Sequence, residues 1–411
     1  MEEDEDCHAE WMDSDSNDDG QYDQSVSNLI DDSCAEDVKK GYDIQGIPWL
    51  GPSRDLNRQD RLEYYVNVED ESTSTEKGQV YYEFQYNTRA VKPVIFHFQL
   101  RNLVWATTKH DVYLVGYYSA LHWSSLTFEK QEVIDLLGHV APSEVHEGNL
   151  SKGFFKPEVC SLAVRDNLLV AGGFKGEIIC KLENHLFSFP EVCSIRILNL
   201  TVFLSHFVPS GSVHFLASNV DGQVRDFDTE TFKICNNLRF PWAVNHTSLS
   251  PDGKLAVVVG DSTVGLLVDA CSGQRVHQLR GHLDYYFASA WNPDGQTFAT
   301  RNQDMTCRVW DVRNLSKSVV ALRGNIGAIQ SIRYTSDGKF MAMAESADFV
   351  HVFDVASGFR RRQELDFFGE VAGISFSPDT EALYVGVDDE EIDGLLQFNR
   401  RRFYSYLDAE F

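Results

Sequence analysis

The sequence predicts an all-β fold, a seven-bladed β-propeller preceded by a disordered acidic tail. Three observations lead to this prediction: a regular internal repeat, hairpin turns at matching places in the repeats, and an acidic bias that is strongest at the N-terminus. The repeat is marked by similar strand ends spaced 41, 42, 43 and 45 residues apart, at Phe227-Asp228, Val268-Asp269, Trp310-Asp311, Phe353-Asp354 and Phe398-Asn399. That interval is the length of one four-stranded propeller blade.

Seven residues are expected on the third strands of successive blades: Trp123, Lys181, Phe227, Val268, Trp310, Phe353 and Phe398. The first two lie 58 residues apart, which predicts an insertion at residues 138–158. The propeller is assigned to residues 79–403 and a short tail to residues 404–411. We expect residues 94–100 to close the ring by pairing with the last blade, which removes both exposed edges. The alternative is a last strand at residues 402–406.

The clearest repeat is predicted to fold as four strands at residues 286–291, 297–301, 307–311 and 315–322. Pro293, Asp294 and Gly295 separate the first two strands. Proline presets the negative φ of the first corner of a turn and glycine accepts the positive φ near its end, so this triplet indicates a hairpin.

This repeat resembles the WD-repeat family of β-propellers, because "LRGH" (residues 279–282) precedes its first strand and "VWD" (residues 309–311) ends its third. The family pattern implies a buried, hydrogen-bonded chain of four side chains that stabilises the blade. The matching positions are His282, Thr300, Asp304 and Trp310. Other blades lack parts of it, since residues 324–325 are Gly-Asn where Gly-His is usual and Phe353 replaces the tryptophan.

Two further segments, residues 102–114 and 167–181, are similar to an uncharacterised plant and fungal group of WD-repeat proteins with an acidic N-terminal tail. The likeness covers most of residues 42–402. It implies a non-enzymatic scaffold that binds other proteins in intracellular signalling, and it permits a link to stress-hormone (abscisic acid) signalling.

Residues 298–313, "FATRNQDMTCRVWDVR", resemble the sixteen-residue box of WD-repeat receptors of cullin-RING ubiquitin ligases. The resemblance implies that Arg308, Asp311 and Arg313 contact the propeller adaptor of such a ligase. Arg313 follows the third strand, so we expect its guanidinium on the rim, available to a carboxylate of another protein. The alternative is that the segment is only a well-formed repeat. The sequence therefore leaves a scaffold and a ubiquitin-ligase receptor as two hypotheses.

The N-terminal residues divide into a tail and an arm. Residues 1–37 carry 15 acidic side chains and no lysine or arginine, out of a net charge of −26. Such a segment buries too little apolar surface to offset its ordering entropy, so residues 1–42 are expected to be disordered and solubilising, with phosphorylation of Ser16 as the alternative. Residues 43–78 mix aromatics with arginines and are expected to form an arm packed on the propeller through Trp49, or a linker that orders only with a partner.

No sequence motif predicts catalysis, a cofactor or a metal site. "AGGFKG" (residues 171–176) lies between two predicted strands and reads as a hairpin rather than a phosphate loop. The acidic net charge opposes nucleic-acid binding, and no apolar run is long enough to span a membrane. Eight scattered cysteines are typical of a reducing compartment, so we expect the protein in the cytoplasm and nucleus. We also expect it to be a monomer.

Partner-binding residues are expected on the loops that join one blade to the next, where exposed aromatics often act as hot spots. The candidates are Trp242, Tyr285, Tyr286, Asn325 and Phe368. The alternative for the aromatic ones is packing between blades.

Overall fold

The protein is described by a computed structural model that covers residues 32–40, 43–46, 58–59, 72–97, 101–137, 139–140, 154–165, 168–174, 176–182, 192–196, 200–205, 214–231, 233–389 and 392–402. Nearly all regular structure in these residues is β-strand. Three elements precede the repeats: β1 (Ser33–Cys34), the short helix α1 (Ala35–Lys39) and β2 (Tyr82–Thr88).

The first two blades each contain four antiparallel strands. Blade 1 consists of β3 (Val104–Ala106), β4 (Asp111–Gly116), β5 (Ser119–Ser124) and β6 (Glu129–Asp135). The strands β7 (His139–Val140) and β8 (Phe154–Phe155) then form a separate two-stranded sheet at the place of the predicted insertion. Blade 2 consists of β9 (Val159–Arg165), β10 (Leu168–Gly173), β11 (Glu177–Leu182) and β12 (Val192–Arg196).

Blades 3 to 5 repeat this arrangement. Blade 3 consists of β13 (Leu200–Ser205), β14 (His214–Asn219), β15 (Gln223–Asp228) and β16 (Ile234–Arg239). Blade 4 consists of β17 (Val244–Leu249), β18 (Leu255–Gly260), β19 (Gly265–Asp269) and β20 (Arg275–Leu279). Blade 5 consists of β21 (Tyr286–Trp291), β22 (Thr297–Asn302), β23 (Thr306–Asp311) and β24 (Val320–Arg323). The fourth strand of blade 5 thus begins at Val320, because residues 312–319 form a turn where a strand from Leu315 was predicted.

The last two blades share a long bent strand. Blade 6 consists of β25 (Ile329–Tyr334), β26 (Phe340–Glu345), β27 (Ala347–Asp354) and the first half of β28 (Arg362–Phe376). The second half of β28 pairs with β29 (Ala382–Asp388), which pairs with β30 (Gly394–Arg400), and these strands begin blade 7.

The ring is closed by the N-terminal strand β2, which pairs with β30 as the fourth strand of blade 7. The predicted closure by residues 94–100 is wrong: the described part of that segment crosses between blades instead, with the Val94 N–H bonded to the Val115 carbonyl. The alternative strand at residues 402–406 is represented only by Arg402, which lies in no strand. Ser33 and Cys34 of β1 add one more short strand to β2, although this stretch was expected to belong to the disordered tail.

The described strands of the blades therefore form five separate four-stranded sheets and one eight-stranded sheet, in which blades 6 and 7 are joined through β28. The first strands contact each other in a closed cycle: β3, β9, β13, β17, β21, β25 and β28, which returns to β3. Neighbouring sheets bury apolar side chains between them, as where Val309 and Leu322 of blade 5 meet Ile332 and Met343 of blade 6. Blades 7 and 1 approach each other closely at Gly373, where an added Cβ would lie 3.0 Å from the backbone nitrogen of Leu103. A side chain there would require the neighbouring backbone to shift.

Candidate functional site

The four predicted side chains of blade 5 form one buried chain of hydrogen bonds. Trp310 Nε1 donates to Thr300 Oγ1 over 2.9 Å, and Thr300 Oγ1 lies 3.1 Å from His282 Nε2. On the other side of the imidazole, His282 Nδ1 lies 2.9 Å from Asp304 Oδ2. Asp304 Oδ2 also accepts the N–H of Leu283. The chain thus ties the loop before the first strand of the blade to its second and third strands.

The electrostatics of this chain favour a neutral imidazole. Burial lowers the pKa of His282, against the opposing effect of the Asp304 carboxylate. Burial alone would raise the pKa of Asp304, but the hydrogen bonds from His282 and Thr306 hold it below its ordinary value. A neutral ring that donates from Nδ1 and accepts at Nε2 satisfies every partner. The four residues accordingly stabilise the blade and offer no group to a substrate.

Blade 6 uses a different buried group at the same place. The carboxylate of Glu345 accepts hydrogen bonds from the backbone N–H groups of Asn325, Ile326 and Gly327 at 2.6 to 2.7 Å. It also lies 2.7 Å from His351 Nε2, and both side chains are fully buried. Sequence analysis missed this pair. The signal was a glutamate ending the otherwise apolar strand β26, where a charge needs a buried partner.

The residues of the predicted adaptor box separate into an inner and an outer set. Arg308 is half-buried and donates to Ser318 Oγ within its own blade. Arg313 is 70% exposed on the rim. However, its Nε and Nη2 atoms already donate to the two carboxylate oxygens of Asp311 at 2.9 and 2.6 Å. The hydrogen bonds from Arg313 also lower the pKa of Asp311. The guanidinium is therefore accessible but held by a neighbour.

The five predicted partner-face residues lie on one end of the propeller, because antiparallel strands bring all loops between blades to the same side. Tyr285 is 46% exposed there, whereas Tyr286 is fully buried, with its hydroxyl donating to the Leu279 carbonyl and its ring against His282. Placing Tyr286 on a partner surface was wrong, since it is the first inward-facing residue of β21. Asn325 is half-buried and its side-chain amide donates to Glu364.

Phe368 is covered by the protein's own N-terminal arm. Its backbone N–H and carbonyl bond the side-chain amide of Gln45 at 2.6 Å each. Farther along the arm, Arg58 donates to Asp348 at 3.1 Å and to Asp366 at 2.7 Å, with its guanidinium carbon 4.5 Å from the centre of the Phe349 ring. The arm thus contacts blades 6 and 7 at this end. Trp49, its predicted anchor, and Ser16 of the tail lie outside the described residues.

Trp242 forms one wall of a groove between blades 3 and 4. The groove has a volume of about 340 Å³, and its apolar lining includes Phe240, Leu266 and Val268. Trp242 stacks on Phe240 with ring centroids 5.9 Å apart. Arg239 and Arg275, both exposed, add two positive charges to the lining and no carboxylate opposes them there.

The described residues contain no cluster of histidine, cysteine, aspartate or glutamate side chains able to hold a metal ion. No helix in the described part of the chain is long and apolar enough to cross a bilayer.

Residues 273–311 match the family model described as WD domain, G-beta repeat. The matched stretch contains the hydrogen-bonded chain of blade 5. Among solved structures, a chain of the crystal structure of the mitotic checkpoint complex superimposes with a TM-score of 0.60 at 14% identity, covering 82% of this chain and 98% of that one. This likeness shows the propeller fold alone.

Three curated relatives are similar over shorter stretches. Human apoptotic protease-activating factor 1 is 26% identical over 165 residues, which is 39% of this chain and 12% of that protein. An uncharacterized WD repeat-containing protein of Synechocystis is 27% identical over 154 residues, 35% of this chain and 43% of that one. Mouse DDB1- and CUL4-associated factor 10 is 27% identical over 137 residues, 33% of this chain and 24% of that one. The chain therefore spans less than half the length of each relative.

Proposed function

Because this chain has the fold of a β-propeller and one repeat that matches the WD-repeat family, we propose that it functions as a non-enzymatic scaffold that binds other proteins through a groove between two of its blades. The observation that carries this proposal is the groove at Trp242. A stacked aromatic pair beside an apolar floor is typical of the pockets that hold anchor residues of a partner. The blades supply a rigid support, so binding there costs little ordering of the protein itself.

The charges of the groove indicate the kind of segment that it binds. Arg239 and Arg275 lie at the groove and no acid lines it, although the protein as a whole has a net charge of −26. An extended segment with one apolar anchor flanked by acidic residues would match both the apolar floor of the groove and its two arginines. The opposite charges would speed association and exclude basic competitors.

Comparing charge-reversal variants by proximity labelling in cells tests this proposal. The double variant Arg239→Glu with Arg275→Glu leaves the aromatic packing intact, unlike Trp242→Ala, and should lose a defined set of labelled partners. The matched control reverses Lys254 and Lys339, two exposed lysines on the turns between the first and second strands of blades 4 and 6, which do not line the groove. Identical partner sets for the wild type and both double variants would refute binding at this groove.

A substrate receptor of a cullin-RING ubiquitin ligase is the second candidate function. It is favoured by the similarity to DDB1- and CUL4-associated factor 10 of three animals and by the exposed Arg313 at the end of the box. Asp311 orients Arg313, whose Nη1 atom donates no hydrogen bond to that carboxylate. A guanidinium fixed in this way loses less side-chain entropy when it meets a second carboxylate.

Binding of the purified propeller adaptor DDB1 decides between the two candidates. If the protein is a receptor, the wild type should capture the adaptor and Arg313→Ala should not, while both remain folded. Arg360→Ala removes another exposed arginine after a third strand and serves as the control. No capture by the wild type would exclude the receptor function and leave the scaffold proposal standing.

The finer predictions from sequence stay predictions. The link to abscisic acid signalling has no support from the relatives found, and neither do residence in the cytoplasm and nucleus or a monomeric state. Lack of catalysis is part of the scaffold proposal, because the fold is typical of binding proteins and does not by itself exclude turnover.

A further inference from the structure

The centre of the propeller contains three arginines and a histidine around a small cavity. Arg101, His246, Arg301 and Arg333 all line it, together with backbone and side chains of the innermost strands. They come from blades 1, 4, 5 and 6, so no single repeat of the sequence shows them as a group. No aspartate or glutamate is among the residues that line the cavity.

Arg301 is the most enclosed of these cations, since only 3% of it is exposed. Its Nη1 donates to the Ile329 carbonyl and to Gln330 Oε1, and its Nη2 donates to the Phe287 carbonyl, at 3.0 to 3.3 Å. Every one of these acceptors is neutral. The buried Nε has no hydrogen-bond partner at all. A cation buried without counter-charge is strongly destabilising unless something in the site compensates it.

Arg333 faces the same space from strand β25. Its Nη2 donates to Asn102 Oδ1 and its Nη1 to the Ile332 carbonyl, while its guanidinium carbon lies 5.5 Å from the centre of the Trp105 ring. These partners are also neutral. Arg101 pairs with Glu370 at 2.8 Å, and the charge of Asp388 also acts on it. Arg301 and Arg333 have no carboxylate partner among the described residues, so the cavity keeps an excess of positive charge.

Burial of these basic groups lowers their pKa values, because it disfavours their charged forms. Burial, followed by the charges of Arg333 and Arg101, lowers the pKa of Arg301 well below its ordinary value. Burial lowers the pKa of Arg333 to about 10. Burial and then the two arginines lower the pKa of His246, which is consistent with a neutral ring that accepts the Ser289 N–H at Nδ1. The residues that line the cavity supply no negative charge.

We propose that this cavity binds one small inorganic anion of the size of chloride, held between Arg301 and Arg333 as their counter-ion. The cavity volume of about 10 Å³ fits a single water-sized occupant. Sulfate and phosphate are too large for that space. The anion gives a negatively charged partner to two guanidinium groups that otherwise have only neutral ones, and it links β22 of blade 5 to β25 of the neighbouring blade 6.

Crystals of the full chain grown or soaked in sodium bromide test the site directly, because bromide replaces chloride and scatters anomalously. The expected result is an anomalous peak in contact with the guanidinium groups of Arg301 and Arg333. A cavity that contains only water, without a peak, would overturn the proposal.

Thermal unfolding of the same protein supplies an independent measurement. A ligand that binds only the folded state raises Tm, so the wild type should melt several degrees higher in sodium chloride than in sodium gluconate of equal ionic strength. This difference should disappear in Arg301→Met. If that variant does not fold, Arg333→Met answers the same question. Arg360→Ala, an exposed arginine, should keep the full difference. Equal Tm values of the wild type in the two salts would contradict the proposal.

Discussion

The indole N–H of Trp310 and the hydroxyl of Thr300 are 2.9 Å apart, and this hydrogen bond joins the third strand of blade 5 to its second in the middle of the sheet. The hydroxyl continues to His282 and from there to Asp304, so a single buried path spans the blade. All four groups are removed from water, where an unpaired donor or acceptor costs more than the hydrogen bond itself contributes.

Trp310→Phe should therefore destabilise the protein by about 1–3 kcal/mol, measured as the free energy of unfolding in urea. Phenylalanine fits this position sterically, because Phe353 occupies it in blade 6. Thr300→Val removes the other partner. The double variant should lose less stability than the two single variants together, since the second change removes a group that is already unpaired. Strictly additive costs would mean that the hydrogen bond contributes nothing.

The blade 5 chain was predictable because a repeat of fixed length places each side chain at a known point of a known strand. His282 and Trp310 could be assigned from spacing and from the family pattern alone. Glu345 and His351 could not, because the pattern of blade 6 has Asn325 where the histidine is usual, and the substitute lies on a different strand.

The ring closure was mispredicted for a related reason. A fourth strand lies at the outer edge of its blade and faces solvent on one side, so apolar content is a poor guide to it. The segment chosen from sequence was the more apolar one at residues 94–100. The strand that closes the ring, β2, instead alternates polar and aromatic residues, as in Glu83, Phe84 and Gln85. The cavity that Arg101, Arg301 and Arg333 line together was likewise not predictable, since residues far apart in sequence meet only in the closed ring.

Glu345→Gln should cost about 2–3 kcal/mol of unfolding free energy, because hydrogen bonds to a charged acceptor are the stronger kind and the new NH₂ group would face backbone donors. Glu364→Gln is the matched control, since Glu364 lies in the same blade but is only half-buried. Urea denaturation of the two variants measures the difference. A change below about 0.5 kcal/mol for Glu345→Gln would contradict the role assigned to its carboxylate.

Two N-terminal truncations should separate dispensable residues from the closing strand. Removing residues 1–31 breaks none of the contacts described above, so the shortened chain should unfold at nearly the wild-type temperature. Removing residues 1–88 also deletes β2 and leaves the edge of β30 unpaired along Leu395 to Arg400. Such an edge promotes aggregation. We expect the second chain to be insoluble or to lose its cooperative transition in calorimetry, and a normal transition would show that β2 is not needed for closure.

Arg58→Ala should release the N-terminal arm from the propeller. The variant loses the ion pairs to Asp348 and Asp366 and leaves the fully buried Asp348 carboxylate with fewer donors, at a cost of about 1–3 kcal/mol. Limited proteolysis should cut residues 41–78 faster than in the wild type. Lys40→Ala, which breaks an exposed ion pair with Asp37, is the control and should change neither measurement. Equal cleavage rates in Arg58→Ala and the wild type would mean that other contacts hold the arm.

Stability should fall as the pH is lowered from 7.5 to 5.5, because three buried histidines resist protonation in the folded state. Burial lowers the pKa of His282 and of His246, and it lowers that of His97 to about 4, whereas histidine in an unfolded chain titrates near 6.5. Above about pH 6.5 both states are neutral and stability is highest. Below that value only the unfolded chain takes up these protons, and each group then removes about 1.4 kcal/mol per pH unit until its folded-state pKa is reached.

The variant His246→Gln isolates one of these protons. Its unfolding free energy, measured in urea at several pH values, should decrease less steeply than that of the wild type as the pH is lowered. The difference between the two slopes should correspond to the uptake of one proton. Ser248→Ala is the matched control: Ser248 bonds Ser289, the same residue that donates its N–H to His246, but it does not titrate. It should lower stability at every pH and leave the slope unchanged. A slope for His246→Gln equal to that of the wild type would show that His246 already carries its proton in the folded protein.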